Sequence, residues 1–486
     1  MNLAKNLRDV AARLGDKPAL LHAGGAVTYA ELDAAVDRGS AALRGLGLAP
    51  GDRVGLHLPN TPAFAEVLYG VWRAGLVAVP MNPASPPGEV GATVADAGAG
   101  VVLTDPEGPE GTLDLPDVRV MTVAELRDGA PLRRGGCPEG DASDELAVLA
   151  YTAGTTGAAK GAMLTHANLA ANQRQLSATR QEVGEGDVVL GVLPLFHIYG
   201  LNVGLAYTVA KGATMLLMER FDPTETLEAI GRHRVTVVLG VPPMYRAWLG
   251  DHGPDVDVSS VRIAASGAAP LSPAVAEAFA TQYGIGVWEG YGLTETSPVL
   301  TTTAMGDVPR PGSVGRPLPD VRIRLRDEHG RAAAAGDPGE VQVRGPNVFR
   351  GYWADPEATV AAFTADGWFA TGDVGYAQDG ELHLVDRRDD LVIVNGFNVY
   401  PREVEEVLTA HPLISAAAVV GVPDERSGEA VKAVVVPADG AELTPEDVQA
   451  HCRGSLARFK CPAVVEFTAE LPLLPTGKLM RRRLRD

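Results

Sequence analysis

The chain has 486 residues, with 42 Lys and Arg against 61 Asp and Glu and a formal net charge of −19. That length excludes a lone small module and allows about three domain-sized units, or one large α/β body with a smaller appendage. The acidic balance argues against a nucleic-acid binder that works through a diffuse basic surface. Aromatics are only 5%, while Gly (56) and Pro (36) are frequent, which favours many short strand-to-helix connections over a helical bundle. The cysteines, Cys137, Cys452 and Cys461, form no C-x-x-C pair and no disulfide framework, so a reducing compartment fits. No run approaches the roughly 18 apolar residues of a membrane span. The start, Met1 to Lys5, lacks the basic and apolar regions of a secretory signal. A soluble cytoplasmic protein is expected.

In chain order, Thr28 to Leu46 reads as a helix, with Thr28 as cap, Glu31 three residues on, and Leu32, Val36 and Leu43 at helical spacing. Arg53 to Leu58 reads as a strand, followed by a turn and helix start at Pro59 to Pro62. The same rhythm recurs at 101–104, 187–193, 235–239 and 261–265. Short, continuously apolar runs alternating with helical segments point to parallel strands covered on both faces. Beyond about residue 310, the segments 321–325, 340–344 and 382–385 alternate apolar with polar, as half-exposed antiparallel strands do. A last block has strands at 417–420 and 431–436, helices at 402–409 and 445–453, and a basic tail.

The most informative segment is Tyr151-Thr152-Ala153-Gly154-Thr155-Thr156-Gly157-Ala158-Ala159-Lys160-Gly161, directly after an apolar run. Glycines admit a close backbone approach, amides and hydroxyls donate, and the lysine adds a point charge, which together suit polyphosphate oxygens. It is not a Walker A loop, because Lys160 lies between Ala159 and Gly161. On composition alone, a Gly/Thr-rich surface turn competes with this reading.

The segment resembles the phosphate-binding signature Y-T-S-G-T-T-G-x-P-K-G of the adenylate-forming superfamily, which includes acyl-CoA synthetases, peptide-synthetase adenylation domains and luciferases. Ala153 and Ala159 replace its serine and proline. Other motifs follow in the family's order. Pro194 to Gly200 is similar to P-L-F-H-x-x-G, Ser266-Gly267-Ala268-Ala269-Pro270-Leu271 to S-G-A-A-P-L, and Tyr291-Gly292-Leu293-Thr294-Glu295 to Y-G-x-T-E. Thr371-Gly372-Asp373 is like T-G-D, and Asp386 to Asp390 is like the hinge segment. Asn395 to Glu405 resembles G-G-F-N-V-Y-P-x-E-V-E with Asn395 replacing a glycine, and Leu471 to Lys478 resembles the terminal L-P-x-x-x-x-G-K. Taken singly, each has a bland counterpart: a core histidine, a helix-start turn, a turn aspartate, a solvated charge run, a surface lysine.

The resemblance implies an α/β fold. Its large N-terminal body, residues 1–388, would hold mostly parallel sheets covered by helices plus a small antiparallel β-barrel-like part; residues 389–486 would be a small mobile α+β domain. It implies ATP and Mg²⁺ as cofactors and a thiol acceptor, either coenzyme A or the phosphopantetheine of an acyl carrier protein. Thr152, Gly154, Thr155, Thr156, Gly157 and Lys160 would hold pyrophosphate. Gly267, Ala268, Ala269, Pro270, Glu289, Gly290, Tyr291 and Gly292 would surround adenine. Thr294 would meet the α-phosphate, Glu295 Mg²⁺, Asp373 the ribose hydroxyls, and Arg387 ribose and phosphate. His197 would close on the substrate carboxylate. Lys478 would bridge carboxylate and phosphate, Asp389 would be the hinge, and Gly396 would line the pantetheine tunnel. Tyr207, Val241, Pro242, Met244, Tyr245 and Gly290 would wall the acyl pocket.

Dicarboxylate-specific relatives usually carry arginine immediately before the Y-G-x-T-E tyrosine, where this chain has Gly290, so a monocarboxylic, fatty acid is expected. An aryl or dicarboxylic acid and an acyl-ACP ligase are the alternatives. In this scheme the acid attacks the α-phosphorus of ATP, a thiol then takes the acyl group, and one lysine serves only the first step. Lys478→Ala is accordingly expected to abolish acid-dependent ATP/pyrophosphate exchange while leaving thiolysis of supplied acyl-adenylate largely intact. Equal loss of both half-reactions would count against the assignment.

Overall fold

The computed structural model describes residues 1–105, 113, 115–116, 118–128, 143–152, 159–250, 256–327, 329–387, 390–394, 397–424, 427–438, 440–473 and 479–485. By contacts the chain divides into two compact units: Met1–Arg322 with Arg344–Phe369, and Ile323–Val343 with Ala370–Asp486.

The first unit is built on two large sheets. One runs, in spatial order, Arg119–Thr122, Val101–Thr104, Arg53–His57, Val77–Pro80, Leu146–Thr152 and Lys160–Thr165, parallel except for the last, antiparallel pair. The other runs Arg316–Pro317, Val299–Thr302, Val287–Gly292, Ile263–Ser266, Val237–Gly240, Val188–Gly191, Thr214–Leu217, Pro18–His22 and Gly25–Thr28. Its central strands are parallel and its edges antiparallel. The expected parallel strands at 187–193, 235–239 and 261–265 all fall in this sheet, where the apolar runs are buried on both faces, as in Val237–Gly240.

The expected early helix is Tyr29–Gly45, closed by a reciprocal Thr28/Glu31 capping box. Helix Pro62–Arg73 is buried on nearly every face, which explains its continuous apolar sequence. At its end, the fully buried Arg73 lies 2.5 Å from Asp33 and 2.9 Å from Asp37 and also donates to the Asp33 carbonyl. Those bonds offset the desolvation of its charge.

In the second unit, Arg322–Arg326, Gly339–Arg344, Phe369–Gln378 and Glu381–Arg387 make a four-stranded sheet. A five-stranded sheet contains Phe397–Val399, Val392–Val394, Gly428–Pro437, Ile414–Asp424 and Val464–Phe467. Helices Pro401–Thr409 and Pro445–Ser455 contribute Val404, Leu408, Val448 and Cys452 to its core. The division between the units does not fall at 388/389. Arg402 donates through its backbone to Asp386 at 2.8 Å and through its guanidinium to the Leu384 carbonyl at 3.0 Å, tying the small sheet to the C-terminal part. Among the described residues, no helix is long and apolar enough to cross a membrane.

Buried His166 accepts the Leu3 backbone N–H at Nδ1, 3.2 Å, and its ring meets Trp72 edge-on. Burial, with a smaller contribution from the N-terminal ammonium, pushes its pKa down to about 3. The unfolded chain therefore binds a proton at this position below roughly pH 6.5 that the folded chain refuses. Stability is retained above that pH and lost as pH falls toward 3. In urea titrations between pH 6 and pH 4, wild type is expected to lose up to about 1.4 kcal/mol per pH unit more than His166→Asn; parallel profiles would contradict this.

Candidate active site

The site in the first unit is organised around the turn after strand Val287–Gly292. Thr294–Thr296 form a short 3₁₀ turn and Ser297 has φ +73°, so the carbonyls here lack partners in regular structure and need donors from elsewhere. Buried amides supply them. Asn347 donates to the Thr296 carbonyl at 2.8 Å and the Val299 carbonyl at 3.0 Å. Asn172 also donates to the Val299 carbonyl, 2.8 Å, and accepts the Val299 N–H. Asn202 donates to the Ser297 carbonyl, 2.6 Å, while Ser297 Oγ donates to the Asn347 carbonyl, 2.8 Å. A side chain at Gly292 would collide with the Pro298 carbonyl, so the strand can only close onto the turn with glycine there.

The turn holds Glu295 at 8% exposure. Its Oε1 accepts the Tyr352 hydroxyl at 2.9 Å, and Oε2 has no protein partner among the described residues. An acidic side chain this buried with one oxygen uncommitted suits a hard cation that takes its remaining ligands from phosphates and water. No cluster of three or more His, Cys, Asp or Glu that could form a self-sufficient metal cage occurs among the described residues.

Strand Lys160–Thr165 contacts this turn and places the expected phosphate lysine at its start. Lys160 Nζ is 3.7 Å from Asp355 and 5.4 Å from the centre of the Tyr352 ring. Thr152 Oγ1 reaches the Lys160 carbonyl at 3.5 Å. Gly154, Thr155, Thr156 and Gly157 lie outside the described residues.

A second turn, residues 267–271, follows strand Ile263–Ser266. Ala268 adopts φ +67°, a strained conformation for a residue with a Cβ and one concentrated at functional sites. The Leu271 N–H donates to Glu289 Oε2 at 2.8 Å. Glu289, expected among the nucleotide contacts, therefore serves the framework by joining this turn to the strand that leads to Glu295. Gly267 lies against Tyr199, where an added Cβ would come within 3.2 Å of the ring.

His197 stands two residues before a π-helix, Tyr199–Ala206, a geometry enriched at functional sites. Asn202 of that helix makes the bond to Ser297, so the His197 segment and the Glu295 turn are joined inside the body. Of the expected acyl-pocket residues, Val241 and Pro242 open a short helix and retain surface. Gly290 pairs with Thr302 across the sheet, and an added Cβ would meet first the Thr301 carbonyl at 3.6 Å and Val299 at 3.9 Å. Tyr245 is corrected to a core residue: it has no exposed surface, its hydroxyl donates to the Ala265 carbonyl at 2.8 Å, and its ring packs edge-on against Trp248 and Phe279. Met244 is likewise buried. Tyr207 is also buried, accepts from Ser177 and lies under Lys211.

Sequence reasoning passed over Tyr199. Its hydroxyl has no partner among the described residues, and burial raises its pKa above the usual tyrosine range although its ring keeps some surface. The adjacent Ser266 Oγ is buried with no partner among the described residues. Tyr352 was also passed over; Gly-Tyr-Trp preceding a helix cap gave no cue to its distant partner.

In the second unit, Asp373 and Arg387 are direct cross-strand neighbours in an antiparallel hairpin, and the Asp373 N–H donates to Thr371 Oγ1 at 3.1 Å. Asp389, Gly396 and Lys478 lie outside the described residues. On either side of residues 474–478, Leu473 and Leu479 form a β-bridge and the Met480 N–H donates to the Pro472 carbonyl. Arg481 is buried against Glu405 at 2.5 Å, Asp390 at 3.4 Å and the Val419 carbonyl at 2.6 Å. This arginine of the basic tail is an internal fastener.

The family of AMP-binding enzymes matches residues 7–353, and its C-terminal domain matches 403–478. The chain belongs to this family. A long-chain-fatty-acid–CoA ligase of Bacillus subtilis is 38% identical over 98% of this chain and 93% of its own. A feruloyl-CoA synthase of an Amycolatopsis species is 40% identical over 96% and 95%. The crystal structure of ATP-bound MatB from Rhodopseudomonas palustris superposes with TM-score 0.92 at 36% identity, covering 100% of this chain and 98% of the other. The reaction class that goes with this membership is AMP-forming acid–thiol ligation.

Asn347→Leu preserves side-chain volume but removes the amide donor to the Thr296 carbonyl and leaves the Val299 carbonyl with Asn172 alone. A loss of about 1–3 kcal/mol per stranded group is expected in urea unfolding, with weaker ATP binding by calorimetry. Unchanged stability would rule out the clamp.

Proposed function

We propose that this ligase activates a monocarboxylic fatty acid with Mg²⁺-ATP, releases pyrophosphate, and transfers the acyl group from acyl-AMP to coenzyme A in the cytoplasm. The observation that carries the reading is the nearly buried Glu295, with one oxygen uncommitted, on a turn in contact with the strand that begins at Lys160. Glu295 holds Mg²⁺, which offsets phosphate charge when bound. Thr294 donates to the α-phosphate, and Lys160 with the 152–157 segment takes the departing pyrophosphate. Adenine lies between Tyr291 and the 267–270 turn. Asp373 holds the ribose hydroxyls with Arg387 beside it, and His197 faces the substrate carboxylate.

Lys478 completes the adenylation site. Rotation about Asp389 then withdraws it and brings Gly396 to the thiol. The anchorage of Arg481, three residues after Lys478, supports movement of that lysine together with its domain.

For the acid, Gly290 supports an apolar tail: an added Cβ would meet nothing nearer than 3.6 Å, so the glycine answers to no local crowding and leaves space. A second reading, a hydroxyaryl acid, is favoured by the unpartnered Tyr199 hydroxyl and Ser266 Oγ, which a hydrocarbon tail would leave unsatisfied; the feruloyl-CoA synthase relative agrees with it. Pyrophosphate release measured over fatty, aryl and dicarboxylic acids, with coenzyme A or holo acyl carrier protein as acceptor, separates these outcomes. No acid-dependent release would refute the ligase. Gly290→Leu is expected to lower kcat/KM for long acids by about tenfold or more and to spare acetate, since each displaced methylene costs about 1–3 kcal/mol.

A further inference from the structure

We propose that Tyr352 is a positioning residue of the adenylation site. Its hydroxyl fixes Glu295 so that the other carboxylate oxygen faces the metal of a Mg²⁺–nucleotide, and its ring seats Lys160. This rests on the assignment of Glu295 as the metal carboxylate.

Residues 350–353 run alongside strand Lys160–Thr165 as an added strand. The Arg350 N–H donates to the Met163 carbonyl at 3.0 Å, the Met163 N–H to the Gly351 carbonyl at 2.9 Å, and the Trp353 N–H to the Gly161 carbonyl at 2.8 Å. Immediately before this stretch, the Phe349 N–H donates to the Glu295 carbonyl at 2.7 Å. One short segment therefore grips Glu295 by its main chain and is paired along the strand that starts with Lys160. Tyr352 repeats the link with its side chain: the O–H donates to Glu295 Oε1 at 2.9 Å, and Lys160 Nζ stands 5.4 Å from the ring centre.

The tyrosine is itself held firmly. Its N–H donates to Thr359 Oγ1 at 2.9 Å and its ring meets Phe349 edge-on at 4.9 Å, so little rotamer freedom remains to be lost on ligand binding. A glutamate on a turn has three side-chain torsions, and a donor on one oxygen selects one arrangement of them. Outer-shell donors of this kind orient metal-binding carboxylates. The same ring face favours the lysine ammonium, while Asp355 at 3.7 Å gives it a counter-ion.

The test separates hydroxyl from ring. Mn²⁺ is used in place of Mg²⁺ so that bound and free metal can be counted by electron paramagnetic resonance in the presence of ATP. Calorimetry measures ATP binding with the metal and, separately, in EDTA. Tyr352→Phe keeps the ring and removes the donor. It is expected to weaken Mn²⁺ binding in the ternary complex by about tenfold or more and to raise the metal concentration for half-maximal pyrophosphate exchange in step, while ATP binding in EDTA and the melting temperature stay at wild-type values. Tyr352→Leu is expected to weaken ATP binding in EDTA as well, because the ring beside Lys160 is gone.

If Tyr352→Phe matches wild type in metal affinity, or loses metal-bound and metal-free ATP equally, the positioning role is overturned. Failure of the ligase assignment looks different: the wild-type protein itself would then show no acid-dependent exchange and no metal-dependent gain in ATP affinity.

Discussion

The site depends on buried amides that clamp an irregular turn. The carbonyls of Thr296, Ser297 and Val299 take buried side-chain amides as donors, at residues that water hardly reaches. In that low-dielectric setting a missing donor is costly and a complete set is rigid. Asn172, Asn202 and Asn347 are fully buried, and together they serve Thr296, Ser297 and Val299. Rigidity at these carbonyls becomes rigidity at Glu295, and through Asn202 it extends to the helix beginning two residues after His197. Motifs about a hundred residues apart thus share one fixed frame.

Much of the fold could be read from local pattern. The apolar runs at 101–104 and 235–239 gave parallel strands because burial on both faces removes alternation, and Thr28 with Glu31 marked a helix start because that pair satisfies its own backbone. What escaped were relations between distant residues. The small sheet groups with the C-terminal part through Arg402 and two acceptors in the hairpin, and nothing in the texture at 388/389 announces that. Tyr352 touches a carboxylate 57 residues earlier, a contact made by pairing of 350–353 along another strand.

The acyl pocket was the least legible part of the site. Tyr245 and Tyr207 suggested aromatic walls by their position near the strands, yet both turn their hydroxyls toward structural partners. Tyr199, overlooked because it follows the more conspicuous His197, has a hydroxyl with no partner among the described residues. Tyrosines look alike in a sequence; what separates a wall from a lining is where the oxygen finds its hydrogen bond, and only the three-dimensional arrangement decides that. By contrast, the phosphate-loop expectation rests on glycine, threonine and lysine at fixed spacing within one segment, of which the described residues include Thr152 and Lys160.

The π-helix at Tyr199–Ala206 has a consequence for how this pocket can diversify. Such a coil is an α-helix carrying a surplus residue, and excising one position to restore ordinary winding would turn everything upstream by about 100°. Tyr199 would then swing away from Gly267, or Asn202 away from Ser297. Point substitutions on this helix can reshape the cavity for new acids, whereas insertions and deletions there would dismantle it, so the length of this stretch is under tighter constraint than its composition.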